Sequence, residues 1–293
     1  MNIISLRYVW YIFSAILIAG SLFAFAAFGL KQGVDFTGGS LISVRFEQRP
    51  SPLDVASSLE GKDFGEVVVQ LVGETDVNIR TKTLSSEEHV ALTAALAETF
   101  GAVQELRYDA IGPAVGAELR EKSWKALLMV FVGILAYIAY TFRKVSNPVQ
   151  SWKYGLVTIA TAFHDVVLPI GLFALLGHFY NVEIGTPFIA AILTIMGYSI
   201  NDTIIVLDRV RENLHRTEGS FEHIVQTSLR QTYQRSFNTS MTTLFSLIAI
   251  YFFGGESIRD FALALIVGII TGTYSSIFIA SPLLVTLHRL RKR

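Results

Sequence analysis

The chain consists of long apolar stretches interrupted by one polar stretch of about 95 residues. A helix needs roughly 20 predominantly apolar residues to cross the hydrocarbon core of a bilayer. Six segments meet this requirement, and the longest of them can tilt to fit. The predicted spans are residues 8–30, 126–142, 154–176, 184–207, 236–255 and 261–287.

The polar stretch between the first two spans has the pattern of a small α/β domain. Its segments alternate between strand and helix periodicity in the order β-α-β-β-α-β, which predicts a ferredoxin-like fold. Ser51 and Pro52 suit the N-cap and first position of the first helix. The predicted strands are residues 40–47, 66–72, 76–83 and 102–109, the helices 51–59 and 87–100, the hairpin turn 73–75, and the second cap Ser85 or Ser86.

The sequence therefore predicts an α-helical membrane protein with six transmembrane helices and one α+β insert. The expected parts are 1–30 (N-terminus and first span), 31–123 (insert), 124–288 (five further spans) and 289–293 (basic tail). The stretch Ala24-Phe25-Ala26 resembles a signal-peptide cleavage site. The apolar run is longer than a signal peptide normally has, which favours an uncleaved span.

Lysine and arginine are distributed unequally between the two sides of the predicted bundle. Outside residues 31–125, 13 of 14 such residues lie on the side of both termini, and only Arg259 lies in the opposite short loops. Cytoplasmic loops carry the excess of Lys and Arg. Both termini are therefore expected in the cytoplasm, and the insert outside it.

Composition narrows the classes of function. Hydrophobic residues make up 52% of the chain and the mean hydropathy is +0.48, as in multi-span membrane proteins. The chain has no cysteine, which excludes disulfides, thiolate catalysis and cysteine-ligated metals. It lacks a P-loop, an HExxH motif and a nucleophile elbow, and it has no basic footprint for nucleic acid. We therefore expect neither an enzyme nor a metal site.

A single carboxylate lies in the fourth predicted span. Asp202 is the only charged residue among the 24 residues at 184–207. Tyr198 and Ser199 share its helix face, and Asn201 is adjacent. Charged groups inside a membrane are costly and usually functional, so Asp202 is the leading candidate and Asn201 a supporting residue. The alternative is a carboxylate that only holds helices together.

The third predicted span contains a second carboxylate, Asp165. It shares a helix face with Thr161, four residues earlier, and with Thr158, a further three residues earlier. His164 adjoins it but points about 100° away. Asp165 is the second candidate and His164 a weaker one, with interhelical hydrogen bonding again the alternative.

The fifth predicted span begins with a cation and continues as a polar stripe. Arg235 is predicted to be the counter-ion of Asp202, because both lie toward the cytoplasmic half. Asn238 and Thr239 follow on the stripe as supporting residues. Polar groups on three helices would form a seam in the bundle, and such seams mark ion or proton pathways. Asp208, in contrast, is expected at the solvated end of its helix.

Glycines occur at both ends of the insert and in the last span. Gly38-Gly39 and Gly112-Pro113 flank the insert, where they serve as hinges or as plain tight turns. Gly268 and Gly272 form a GxxxG pattern, which predicts close helix packing rather than chemistry.

Four patches, taken together and in this order, resemble the SecDF family of the resistance-nodulation-division (RND) superfamily. The resemblance extends over nearly the whole chain and is to the smaller membrane subunit of the SecDF complex. The patches are residues 34–40 (VDFTGGS), 111–119 (IGPAVGAEL), 197–213 (GYSINDTIIVLDRVREN) and 235–243 (RSFNTSMTT).

The resemblance implies half of a pseudo-symmetric RND-type bundle in the bacterial cytoplasmic membrane. It implies a role in Sec-dependent protein export driven by the proton-motive force, with no cofactor besides the proton. Asp202 and Arg235 match the family's intramembrane pair, and Asp165 also matches a family pattern. The implied partners are SecD, the SecYEG channel with SecA, YajC, the translocating unfolded polypeptide and membrane lipid.

Two other functions compete with this one. An RND-type exporter of small molecules or lipids would normally carry twelve spans and two large insertions, which this chain lacks. A structural subunit without ion coupling would tolerate replacement of Asp202 and Arg235. An intramembrane protease is not supported, because the aspartates lack the expected glycine-flanked pattern and no Ser-His pair is suitably placed.

Overall fold

The computed structural model describes residues 3–48, 50–72, 75–141, 143 and 150–290. The chain forms two compact units. The membrane unit comprises Met1–Leu30, Ala126–Val182 and Pro187–Arg293, and the insert unit comprises Lys31–Lys125 and Glu183–Thr186. The loop Glu183–Thr186 therefore belongs to the insert unit, although the sequence pattern placed it with the spans.

Helices dominate the described part of the chain, and strands occur only in the insert unit there. In chain order the elements are α1 (Arg7–Phe28), α2 (Val34–Thr37), β1 (Gly39–Phe46), α3 (Pro52–Leu59), β2 (Val68–Val72), β3 (Asp76–Thr81), α4 (Ser86–Phe100), β4 (Val103–Ile111), α5 (Pro113–Thr141), α6 (Ser151–Tyr180), α7 (Thr186–Asn213), α8 (Phe221–Phe253), α9 (Glu256–Ser275), a π-helical turn (Ser276–Ala280) and α10 (Ser281–Arg289).

Six helical segments among the described residues are long and apolar enough to cross a membrane, which confirms the predicted spans. They are α1, α5, α6, α7, α8 and the continuous run from α9 through the π turn to α10. The fifth membrane-spanning helix, α8, is much longer than its predicted span at 236–255, because it begins at Phe221 with a polar segment. The end of the basic tail, residues 291–293, lies outside the described residues.

Close helix contacts at glycines and a buried apolar core stabilise the membrane unit. Helix α1 packs on α6, and α9 packs on both α6 and α8. A Cβ atom at Gly171 of α6 would collide with Ser21 of α1, and one at Gly268 of α9 with Ile195 of α7. These helices approach closely because glycine leaves room. The fully buried core includes Tyr154, Leu207, Val210, Leu284 and Val285.

The insert unit has the predicted ferredoxin-like topology. Its four strands have the order β2-β3-β1-β4, and every neighbouring pair is antiparallel. Apolar residues of the sheet and of α3 and α4 form one core, which contains Ile42, Val44, Val55, Leu92 and Leu96. Residues 73 and 74 of the predicted hairpin turn lie outside the described residues.

The two helices predicted in the insert, α3 and α4, begin as their sequences predict. The Ser51 side chain accepts a hydrogen bond from the backbone N–H of Leu53, 3.2 Å away. Ser85, rather than Ser86, caps α4: its hydroxyl accepts from Glu88 N, and Glu88 Oε2 accepts from Ser85 N at 2.7 Å. These caps satisfy N–H groups that the first helical turn leaves free.

Two of the glycine-containing patches, residues 34–40 and 111–119, meet where β1 begins and β4 ends. Gly39 pairs with Ile111 across β1 and β4. Gly38 and Gly39 have φ angles of +75° and +125°, which residues with a side chain rarely adopt. A Cβ atom at Gly38 would lie 2.7 Å from the Cα atom of Pro113. Tight turns account for Gly38 and Gly39, and a hinge function of Gly38, Gly39, Gly112 and Pro113 stays a prediction.

Candidate functional site

Two carboxylates are buried inside the membrane unit. Asp165 of α6 is 0% exposed and Asp202 of α7 is 6% exposed. Pro169 stands four residues after Asp165, and proline has no N–H group to donate to the Asp165 carbonyl oxygen. Helix α6 therefore lacks one backbone hydrogen bond at the first carboxylate, although it continues to Tyr180.

Hydroxyl groups from two other helices surround Asp165. Ser199 Oγ of α7 donates to Asp165 Oδ2 at 2.5 Å, and Ser275 Oγ of α9 donates to the same oxygen at 2.6 Å. Asp165 Oδ1 lies 2.8 Å from His164 Nδ1. Three side chains therefore bind this carboxylate, and His164 is the only ionisable group among them.

His164 is itself buried, with 1% of its surface exposed. Its Nε2 atom has no hydrogen-bond partner among the described residues. The imidazole therefore joins Asp165 on one side and presents a free nitrogen on the other. The structure brings these two predicted residues together, although adjacent side chains on a regular helix point apart.

Asp202 is bound in the same manner. Ser236 Oγ of α8 donates to Asp202 Oδ1, and Ser276 Oγ of the π turn donates to Asp202 Oδ2, each at 2.5 Å. Short bonds of this kind are typical of hydroxyl donors to a carboxylate. Each buried aspartate thus receives two serine hydroxyls.

Adjacent residues in the sixth span contact the two carboxylates. Ser275 ends α9 and binds Asp165, and Ser276 begins the π turn and binds Asp202. A π turn is uncommon and occurs frequently at functional sites. The Ser275-Ser276 pair therefore connects the two aspartates through one peptide unit.

The GxxxG pattern lies beside this site and packs closely, as predicted. A Cβ atom at Gly272 would lie 3.4 Å from Ser199 Cβ and 3.5 Å from Asp165 Oδ2. Gly268 faces Ile195 one turn earlier. The small residues allow α9 to approach α7 and α6, and this approach brings Ser275 within reach of Asp165.

The predicted ion pair between Asp202 and Arg235 is wrong for this structure. Arg235 is exposed on α8, and no ion pair of Asp202 occurs among the described residues. The neighbouring residue Ser236 contacts Asp202 instead. Successive side chains on a helix diverge by about 100°, and α8 is turned so that Ser236 faces Asp202 while Arg235 is exposed.

The supporting residues predicted on α7 and α8 also face outward. Asn201, Asn238 and Thr239 are exposed, and the Thr239 hydroxyl donates to the Arg235 carbonyl oxygen at 2.9 Å. The buried polar residues of α8 are instead Ser228, Thr232, Ser236 and Ser240.

Thr158 and Thr161 on α6 are buried but do not reach the carboxylate. The Thr158 hydroxyl donates to the Tyr154 carbonyl oxygen at 2.9 Å, and that of Thr161 to Val157 at 3.1 Å. Both bonds lie within the helix, which supports the structural interpretation of these threonines.

Sequence reasoning missed three of the serines that hold the aspartates: Ser236, Ser275 and Ser276. A serine in an apolar span is common, and its hydroxyl can satisfy itself on its own helix. The useful signal was the consecutive pair at 275–276 within a span that has no charge at its centre. That pair could be matched to the aspartates only through contacts between distant segments.

The groups at the site are carboxylates, hydroxyls and one imidazole. No group of three or more His, Asp or Glu side chains suited to a metal occurs in the described part of the chain. A serine hydroxyl can donate or accept, so it can bind a carboxylate or a protonated carboxyl group. The arrangement can therefore accommodate both protonation states of each aspartate.

Two family profiles match the chain. The profile described as "Protein export membrane protein SecD/SecF, C-terminal" matches residues 91–290. The profile described as "SecD/SecF GG Motif" matches residues 23–48, which include Gly38 and Gly39.

Curated relatives resemble the chain over almost its full length. The protein translocase subunit SecF of Thermobaculum terrenum is 43% identical, covering 98% of this chain and 93% of its own. The corresponding protein of Desulfurispirillum indicum is 41% identical, covering 93% of this chain and 87% of its own.

Solved structures of SecDF have the same fold. The crystal structure of SecDF from Thermus thermophilus, described as a translocon-associated membrane protein, matches with a TM-score of 0.86 at 35% identity. The match covers 100% of this chain but only 39% of that one. SecDF in its super-membrane-facing form matches with a TM-score of 0.69 at 36% identity.

Proposed function

Because the chain belongs to the SecD/SecF family of protein-export membrane proteins, we propose that it uses the proton-motive force to assist Sec-dependent translocation across the bacterial cytoplasmic membrane. One observation carries this proposal: two buried carboxylates, each held by serine hydroxyls, lie inside the membrane unit. The proposal involves no covalent chemistry and no cofactor besides the proton.

In the proposed mechanism, Asp202 binds and releases the coupling proton. A buried ionised carboxylate without a cation is costly, so proton binding changes the energy of the bundle by several kcal/mol. A protonated carboxyl group must donate from one oxygen, so one serine has to change from donor to acceptor. Ser276 can do this, because its hydroxyl also lies 3.1 Å from the Thr273 carbonyl oxygen. Proton binding would thereby redirect hydrogen bonds within the sixth span.

Asp165 can respond in a similar way. Ser275 Oγ lies 3.2 Å from the Gly272 carbonyl oxygen, which offers this hydroxyl a second acceptor. His164 supplies a second titratable group in direct contact with Asp165. We propose that His164 and Asp165 take part in proton transfer, with the Ser275-Ser276 pair as the link to Asp202.

The partner of the membrane unit is proposed to be SecD, a second six-span half. The chain spans 39% of the Thermus SecDF chain, so the matched protein contains much more than this half. Arg235, Asn238 and Thr239 form an exposed polar face on α8. An arginine facing lipid is unfavourable, and a second half-bundle would cover it. Arg235 would then keep its proposed role in proton coupling at that contact.

The remaining proposals concern the other partners, which the family resemblance implies, and the topology, which the distribution of Lys and Arg supports. We propose the SecYEG channel with SecA, YajC and the unfolded translocating polypeptide as partners, with both termini in the cytoplasm. Reporter fusions after Ser51 and after Arg293 should lie in opposite compartments. Activity of both reporters in one compartment would reject this topology.

Co-purification and vesicle export test the function. A six-span sister protein and the Sec channel should purify with the affinity-tagged chain. Membrane vesicles that lack the chain should lose the proton-gradient-dependent part of precursor export and regain it when the chain is restored. Equal gradient-dependent export with and without the chain would refute the proposal.

A further inference from the structure

The segment just before the first strand of the insert is joined to the loop between α6 and α7. Gly33 N donates to Ile184 O at 2.9 Å, and Ile184 N donates to Lys31 O at 2.8 Å. Gln32 and Ile184 form a parallel bridge. About 150 residues separate the two segments in sequence, yet both belong to the insert unit.

A side chain strengthens this junction at the first residue of α7. Asp35 Oδ2 accepts hydrogen bonds from both the backbone N and the hydroxyl of Thr186, each at 2.7 Å. The first N–H groups of a helix have no partner within the helix. A carboxylate at this end is also favoured by the helix dipole. Asp35 therefore acts as an N-terminal cap supplied by a distant part of the chain.

The local sequence cannot provide such a cap. Gly185 precedes Thr186 and has no side chain. Helices usually take their cap from a Ser, Thr, Asp or Asn at that position. The first turn of α7 depends on Asp35 for this interaction.

Arg80 holds the same loop from the middle of the sheet. Its Nη1 atom donates to Glu183 Oε1 at 2.9 Å and to the Gln32 carbonyl oxygen at 3.3 Å. Its Nη2 atom donates to the Thr37 hydroxyl at 2.6 Å. Both members of the ion pair are less than a quarter exposed, which strengthens the attraction relative to a surface pair. One guanidinium thus fixes the loop and both ends of the segment that contains Asp35.

We propose that Asp35 is a positioning residue: by capping α7, it holds the first turn of the helix that carries Asp202. Asp202 lies 16 residues after Thr186, about 24 Å along a regular helix at ~1.5 Å per residue. A continuous helix transmits a displacement of its first turn along its length. The inference rests on the proposed function, because it gives Asp202 the coupling role.

The test compares Asp35→Ala with Asp35→Asn in the full chain, assembled with its partners. One oxygen accepts both bonds, and asparagine retains such an oxygen and is a good cap. Asp35→Asn should therefore keep gradient-dependent export within about twofold, while Asp35→Ala loses most of it. Export without a gradient should change little in either variant. Asp54→Ala, at an exposed position of α3, is the matched control and should behave as the original protein.

Hydrogen exchange separates this inference from the proposed function. Amide exchange in the first turn of α7 should be about 3- to 30-fold faster in Asp35→Ala, the range expected for loss of a cap side chain. That result does not depend on export. Unchanged exchange, or equal losses of export with and without a gradient, would overturn the positioning role. Gradient-dependent export that survives Asp202→Asn would instead refute the proposed function.

Discussion

Replacing Asp202 by asparagine should separate proton coupling from folding. The side chain accepts one hydroxyl on each oxygen, from Ser236 and from Ser276. In asparagine one of these atoms becomes a donor. The Ser276 hydroxyl can redirect its hydrogen to the Thr273 carbonyl oxygen, 3.1 Å away, and accept from the amide. Both contacts can therefore persist in the variant.

The cost to stability follows from this exchange of bonds. A hydrogen bond to a charged group contributes roughly 1 kcal/mol more than a neutral one, and two such bonds change. Removing a buried charge acts in the opposite direction. We therefore expect a net change of about 2 kcal/mol or less, and normal insertion. Asp202→Ala is a poorer test, because it leaves Ser236 without its acceptor at a further cost of about 1–3 kcal/mol.

The assay is precursor export into membrane vesicles with and without a proton gradient, at matched protein levels. Asp202→Asn should abolish the gradient-dependent part, because the amide cannot exchange the coupling proton. Asp208→Asn is the matched control on the same helix, since the Asp208 side chain is 57% exposed. Full gradient-dependent stimulation in Asp202→Asn vesicles would refute the reasoning and make Asp165 the leading candidate.

Three further predictions concern stability. In denaturant melts of the excised insert, residues 35–111, replacing the buried Leu92 (Leu92→Ala) should lower the unfolding free energy by about 2–5 kcal/mol. Replacing the exposed Val90 (Val90→Ala) should lower it by less than about 0.5 kcal/mol. Equal losses in the two variants would contradict the assigned core. In thermal melts of the detergent-solubilised chain, Gly171→Val should be destabilising by about 1–3 kcal/mol, because the added side chain separates α1 from α6. Gly133→Val should not be, because the space around Gly133 is open. Similar melting midpoints for the two variants would refute the close packing of α1 on α6. Hydrogen bonds from the Ser85 backbone N–H and from Lys82 lower the pKa of Glu88 from 4.5 to about 2. The stability that ionised Glu88 contributes is therefore present above pH 4.5 and lost toward pH 2. The melting temperature of Glu88→Gln should fall less steeply than that of the original protein over this pH range, and parallel curves for the two proteins would contradict the prediction.

The spans and the insert could be predicted because their signals are local. A bilayer requires long apolar runs, and a ferredoxin-like sheet requires alternating strands in a fixed order. The start of α8 was not predicted, because residues 221–235 are polar and carry no hydropathy signal. The joining of Glu183–Thr186 to the insert depends on partners about 150 residues away, so no local pattern reveals it.

The site was only partly predictable for the same reason. A carboxylate in an apolar span is visible in the sequence, and both aspartates were found. Charge and approximate depth alone favour Arg235 as the partner of Asp202. The fold instead brings Ser236 to Asp202, one residue away on the same helix. A rotation of 100° cannot be inferred from hydropathy, because α8 is polar on several sides.

The π-helical turn at Ser276–Ala280 marks where the sixth span can change in length. Such a turn holds an extra residue, so in an alignment it corresponds to a one-residue insertion relative to a regular helix. Deleting one residue at the turn would let it close as a regular α-helix. A deletion in α10 before Thr286 would leave the hydropathy almost unchanged but rotate the residues after it by about 100°. Thr286, which bonds Tyr11 at 2.9 Å, and the Leu287 carbonyl, which accepts from Lys153, would then face the wrong neighbours. Lipid sets only an approximate length for the ends of this span, whereas a change of one residue near its centre keeps the neighbours of α10 only if the π turn absorbs it.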